Sequence, residues 1–242
     1  MKKYELTTET LQFAGRTLHR IKALKDFGSI QAGEFGGFIE KEENLSQDDN
    51  AWIYYNAMVF DNANVFGNAK ILGNTKVFGN LNVFGNAIVA GYAKVYGKAN
   101  IYGNAKVRDC AEVYGNANIY GNAEVSDYVR ICDNAEVSDY VKVYDFAEVY
   151  GNVRICGNAT IKSDAKVHDN EDYIVFKNFW SSGRYFTWTR SNNKWSVGCF
   201  YGTGEELIKK AYADSEKSGK EYERVVRYVQ SILADEKKEK SN

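Results

Sequence analysis

Residues able to do chemistry are few in this chain. Two histidines occur among 242 residues, His19 and His168, and His168 has Asp169 beside it. An imidazole with a neighbouring carboxylate is the least a general base needs, so His168 is the one catalytic candidate the sequence offers. Against it stands the reading of an ordinary surface histidine. The four cysteines, Cys110, Cys132, Cys156 and Cys199, show no C-x-x-C spacing and no adjacent histidine pair. They read as free thiols in a reducing compartment, with no metal site, no disulfide framework and no cofactor implied. Gly202-Thr203-Gly204 at a helix start would attract an anion, but Glu205 and Glu206 follow at once, and Thr203-x-x-Glu206 reads as a capping box. Gly28, Gly33, Gly36 and Gly37 match neither a dinucleotide fingerprint nor a phosphate loop.

Binding chemistry is better represented. Trp180, Trp188 and Trp195 cluster near the C-terminus with Arg184 and Arg190. They read either as the aromatic core of a small module or as a ligand or partner patch edged by the arginines. Further upstream, Asn64-Val-Phe-Gly67, Asn82-Val-Phe-Gly85, Asn100-Ile-Tyr-Gly103 and Asn118-Ile-Tyr-Gly121 recur every 18 residues.

The element that must position these groups is a repeat. From Ile53 the chain reads in sixes to Lys166, and a further unit opens at Val167. Position 1 is Val or Ile, position 3 is Gly or Asp with two exceptions, and position 5 is mostly Ala. Positions 5, 6, 1 and 2 predict a short strand with 5 and 1 inward and 6 and 2 outward. Positions 3 and 4 turn a corner, where Gly and Asn tolerate positive φ. Three hexads make the 18-residue period, one turn of a three-sided prism. About six turns at ~4.8 Å give a rod roughly 30 Å long. There is no proline, which suits a chain that is mostly ladder.

The run V-x-G-N-A-x resembles the hexapeptide repeat of left-handed parallel β-helix proteins, whose commonest members are acyltransferases. The resemblance implies a mainly β fold with this helix over residues 45–170. It follows an N-terminal β-hairpin cap over 1–44 and precedes a small C-terminal α+β module, ββ-αα, over 171–242. The helices of the module are predicted from Thr203 through Ala213 and from Ser218 onward, with a frayed charged tail. Acyltransferases of this fold need a histidine base near a subunit junction and often a projecting loop. Here the hexads run without an insertion.

Outer position 2 sorts by face. Face one carries mixed residues from Tyr54 to Lys162. Face two carries Phe60, Phe78, Tyr96, Tyr114, Cys132, Tyr150 and His168. Face three carries Phe66, Phe84, Tyr102, Tyr120, Ser138 and Cys156. Beside the face-two rings runs a charged stripe, Lys76 to Lys166. Beside the face-three rings sit Asn64, Asn82, Asn100 and Asn118. Both ladders have an intramolecular explanation, since stacked side chains hold neighbouring strands in register. Face three also has the makings of a contact surface for self-association, a protein partner or sugars.

Gly36-Gly-Phe-Ile-Glu40, Asn44-Leu-Ser-Gln47 and the segment Trp195 to Leu207 resemble phage and prophage hexapeptide-repeat proteins. The resemblance implies a cytoplasmic setting in a bacterial host and brings no catalytic residues. A formal net charge of −1 argues against a nucleic-acid partner. The chain has no run of about 18 apolar residues and no apolar signal region after Met1-Lys-Lys, so no membrane partner is expected. The preferred expectation is a binding or scaffold protein acting through a β-helix face and the C-terminal module. Its partner would be itself, as a homotrimer, or a host protein such as a defence factor that it inhibits. An acyltransferase and a structural element of a virion or surface assembly are the alternatives.

Overall fold

A computed structural model describes residues 2–180 and 182–239. The chain forms two compact units, one up to Asn170 and one from Glu171. The first is a three-sided parallel β-solenoid. Among the described residues its faces carry sheets of ten, seven and six strands.

Each hexad does what its residue types dictate. Val and Ile at position 1 and the residue at position 5 point inward and are essentially unexposed, as at Val65, Ala69, Ile101 and Ala105. The paired strands are shorter than the expected four residues: most span positions 6 and 1, as in Asn100–Ile101 against Asn118–Ile119. The ladder bonds still reach across four positions. In the coil of Val65, the N–H groups of Asn64 and Phe66 donate to the carbonyls of Leu81 and Val83, and the N–H of Asn68 donates to Gly85 at the corner. Every backbone donor spent this way lowers the cost of burying a chain whose strands are only two residues long.

The corners correct one expectation. Positive φ falls at position 3 alone, on glycine in the earlier coils and mostly on aspartate in the later ones (Gly103 at 71°, Asp139 at 59°). The position-4 asparagines are not strained. They hydrogen-bond to one another instead: Asn50, Asn68, Asn86, Asn104 and Asn122 form a side-chain amide ladder down one edge, each Nδ2 donating to the next Oδ1 at 3.0–3.1 Å. The position-3 aspartates also reach along the axis. Asp139 and Asp145 accept from the N–H of Gly157 and Ser163 at 2.8 and 2.9 Å.

Parallel pairing begins before the first hexad. The hairpin of β1 (Tyr4–Phe13) and β2 (Arg16–Ala23) turns at Ala14-Gly15 and pairs with β3 (Phe35–Ile39). Strand β3 then runs parallel to Met58–Asp61, which makes the hairpin an extension of face two. The junction is tied by Tyr4, whose hydroxyl donates to the carbonyls of Glu42 and Leu45 at 2.9 and 2.8 Å. Buried Lys3 donates to the carbonyls of Asp49 and Ala51, both at 3.0 Å. Burial lowers the pKa of that ammonium, and Asp49 opposes the shift.

The second unit is a four-stranded antiparallel sheet, Tyr173–Lys177, Tyr185–Thr189, Lys194–Val197 and Phe200–Gly202, followed by α1 (Gly204–Asp214) and α2 (Glu216–Glu239). Lys194–Val197 and Phe200–Gly202 are separate strands, because Gly198 adopts φ 57° and turns the chain between them. The capping box is formed: Thr203 Oγ1 accepts from the Glu206 N–H, and the Glu206 carboxylate accepts from the Thr203 N–H at 2.7 Å. The tail is not frayed as far as Glu239. It continues α2, and Glu236 within it holds Arg190; the last three residues lie outside the described residues.

Candidate functional site

Face three assembles the residues the sequence grouped there. Phe66, Phe84, Tyr102 and Tyr120 stack with successive centroids 4.9 Å apart and planes parallel to within 3°. Rings translated by that distance cannot lie flat on the sheet without colliding, so they tilt and cover one another's faces. The surface therefore offers ring edges, which is unsuited to stacking a sugar on each ring. Asn82 donates to Asn100 and Asn100 to Asn118, both at 3.2 Å, and the second amide proton of Asn100 and of Asn118 goes to a backbone carbonyl. Burial, and after it the neighbouring Tyr120, raises the pKa of the Tyr102 phenol. The first four coils of this face carry no charge at positions 6 and 2.

Face two is different. The hairpin lies over the first rungs: Phe13 meets Phe60 edge-on at 5.7 Å, Arg16 sits over Phe60, and Lys76 sits over Phe13. Phe60 is only 4% exposed as a result. Below, Phe78, Tyr96 and Tyr114 stack at 5.2 and 4.9 Å. The charged stripe beside them pairs along the axis, as in Lys94 with Glu112 at 2.7 Å and Lys166 with Glu148 at 3.4 Å. On face one the same device joins Lys106 to Glu124 at 2.9 Å, which holds the Glu124 pKa below its usual value.

His168 ends the face-two column. It is exposed, its Nδ1 lies 2.7 Å from Asp169, and its ring is tilted against Tyr150 at 5.0 Å. The His–Asp pair expected from the sequence is formed.

The C-terminal cluster divides. Trp188 and Trp195 are 1% and 2% exposed and form the module's core with Phe186, Leu207 and Val226. A patch on the surface cannot include them, because they are spent closing the sheet against α1 and α2 together with Phe186 and Val197. Trp180 packs against Phe186 and Tyr222. Arg190 is bound to Glu236 through both terminal nitrogens at 2.7 and 3.0 Å. Arg184 lines a small depression with Cys199 and Tyr222.

Two features escaped the sequence reading. A groove of about 440 Å³ lies between the turn at Gly28–Ile30 and the edge carrying Asn50, Asn68 and Asn86, with Tyr54 and Lys70 on its floor. A second edge exposes Tyr92, Tyr128 and Phe146, all at position 4. The 18-residue spacing of both sets was visible. What hid them was treating position 4 as turn chemistry only.

No family model matches the chain. Over 62 aligned positions, which cover 22% of the chain, it is 37% identical to an uncharacterised acetyltransferase, YdcK, of Escherichia coli (strain K12). The match spans 19% of that relative's length. Together with the stacked coils, it makes this chain a parallel β-solenoid of the hexapeptide-repeat kind with a local likeness to an acetyltransferase.

Proposed function

We propose that the protein is a non-catalytic binding scaffold that engages a protein partner through face three. One contrast carries this reading. The chain covers the head of the face-two aromatic ladder with its own hairpin, burying Phe60, while the equivalent rings of face three stay half-exposed along their length. An uncharged strip of ring edges with the Tyr102 hydroxyl among them matches the anatomy of an interface core. The partner is a second copy of the chain, in a homotrimer, or a protein of a bacterial host, a defence factor being the case the phage resemblance favours.

Light scattering after size exclusion tests this, with the double variant Tyr102→Ser, Tyr120→Ser beside the native chain. A mass near three times 27.3 kDa that the variant reduces to one supports face three as a self-association surface. A native monomer moves the test to capture from bacterial lysate. A captured protein lost in the variant supports the reading, and identical captures by both chains overturn it.

The likeness to an acetyltransferase and the His168–Asp169 contact favour a second reading, acyl transfer with His168 as base. Acetyl transfer to an amine or hydroxyl, abolished by His168→Ala with the fold intact, would establish it in place of the first.

A further inference from the structure

The face-two ladder is interrupted. Rings occupy position 2 through Tyr114, Cys132 takes the next place, and a ring returns at Tyr150. At one strand spacing per coil, Tyr114 and Tyr150 stand roughly 10 Å apart. A single ring placed between them would lie about 5 Å from each, which is the spacing the ladder itself uses. A cavity of about 140 Å³ occupies this place, bounded by Tyr114, Cys132, Tyr150, Arg130, Asp133 and Glu148. Apolar protein cavities of about 150 Å³ hold one benzene ring.

Face three has a comparable interruption at Ser138, and there the chain fills it. The Arg154 guanidinium crosses that coil to reach the Tyr120 hydroxyl at 3.3 Å and Glu136 at 3.5 Å, and Ser138 is buried at 1% exposure. A side chain of the next coil thus covers this interruption. At the face-two position that corresponds to Arg154 stands Glu148, which stays beside the gap in a loose pair with Arg130 of the Cys132 coil at 3.8 Å.

We infer that the gap above Cys132 is a binding site for one planar aromatic ring of the phenol class, stacked between Tyr114 and Tyr150 with its hydroxyl at Glu148 and Arg130. The walls and floor suit a neutral ring. The Tyr114 phenol is pushed up to about 12, first by the nearby Cys132 thiol, and burial raises the thiol in turn, so both are uncharged at neutral pH. The site is independent of face three.

The test uses the full chain and p-cresol, with 4-methylcyclohexanol as a puckered ring of the same outline. Alkylation of Cys132 by iodoacetamide is followed by peptide mass spectrometry, with Cys110, Cys156 and Cys199 as internal references. Protection should follow occupancy, so p-cresol at ten times its dissociation constant slows Cys132 about tenfold. The other thiols should be unmoved and the puckered alcohol without effect. Saturation-transfer NMR should show p-cresol bound to Cys132→Ser and absent from Cys132→Tyr, where the protein's own ring fills the gap. Equal protection by both alcohols, or undiminished binding to Cys132→Tyr, overturns the assignment. Protection by uracil with none by p-cresol overturns the phenol class. Should Cys132→Tyr fail to fold, Tyr150→Leu removes one wall instead, and unchanged binding there overturns it equally.

Discussion

Arg154 and Tyr120 are joined across an intervening coil, the guanidinium Nη2 donating to the phenolic oxygen at 3.3 Å. The side chain spans the place where a ring would continue the face-three ladder. The contact shows how this solenoid treats its outer columns: side chains are arranged by the 18-residue translation, and at Ser138 a departure from the series is covered by an arginine of the next coil.

The two interruptions should respond differently to a new ring. Cys132→Tyr adds two stacking contacts in an open gap and should stabilise by about 1–3 kcal/mol, at roughly 0.5–1.5 kcal/mol per aromatic pair. Ser138→Tyr must displace Arg154 from Tyr120 and Glu136 and should gain less. Thermal unfolding of both variants beside the native protein checks the order, and a larger rise for Ser138→Tyr would contradict this account.

Alkaline pH should loosen the start of the solenoid through Tyr4. Its phenol is buried and donates to two carbonyls, and burial raises its pKa well above 10. A raised folded-state pKa means the contribution is whole below pH 10 and is lost as pH climbs from there toward the folded value. Tyr4→Phe should cost about 1 kcal/mol at neutral pH. The difference from the native protein should shrink above pH 10. Melting curves between pH 8 and about 11.5 measure it, and a constant gap would place the alkaline loss elsewhere.

Corner glycines should separate into two classes. A Cβ on Gly103 would meet the Gly121 backbone nitrogen at 3.0 Å, whereas a Cβ on Gly157 meets nothing within 4 Å. Both residues sit at positive φ, 71° and 75°. Gly157→Ala should therefore cost about 1–2 kcal/mol for the left-handed backbone alone. Gly103→Ala should cost that plus the displacement of the next coil. Chemical denaturation of the two variants gives the comparison.

In the second unit, Arg190→Ala should release the end of α2. The bidentate pair with Glu236 is partly shielded, and Arg190 also lies 3.8 Å from Asp172. The expected loss is about 1 kcal/mol. Limited proteolysis should show earlier cleavage beyond Leu233 than in the native chain, and an unchanged pattern would mean α2 is held by its apolar face alone.

Much of this architecture was legible because each hexad position has one physical task. A β-branched residue inside, a small one opposite and a residue tolerant of positive φ at the corner leave little choice of fold, and Val65, Ala69 and Gly67 show all three. The groupings on the faces followed from the same count. What stayed hidden depends on the orientation of planes. Phe66 and Phe84 could be assigned to one column, but that their faces are spent on each other needs ring angles. Cys132 could be seen as a missing ring, but that the gap stays open depends on Arg130 and Glu148 pairing at its side while Arg154 crosses over on face three. The tryptophans of the second unit were ambiguous for another reason: Trp188 and Trp195 alternate along strands whose buried side is set by α1 and α2, more than a strand's length away in sequence.

The side-chain amides of Asn50 through Asn122 all donate in the same direction, so their dipoles add rather than cancel. The edge is therefore electrically polarised although it contains no formal charge on the amides themselves. Its carbonyl-ended pole lies at Asn50, beside the groove that Lys70 also lines, and its amide-ended pole lies at Asn122. Removing one asparagine from the middle of the column would split one long dipole into two short ones, which weakens the field at both poles while leaving every backbone bond in place.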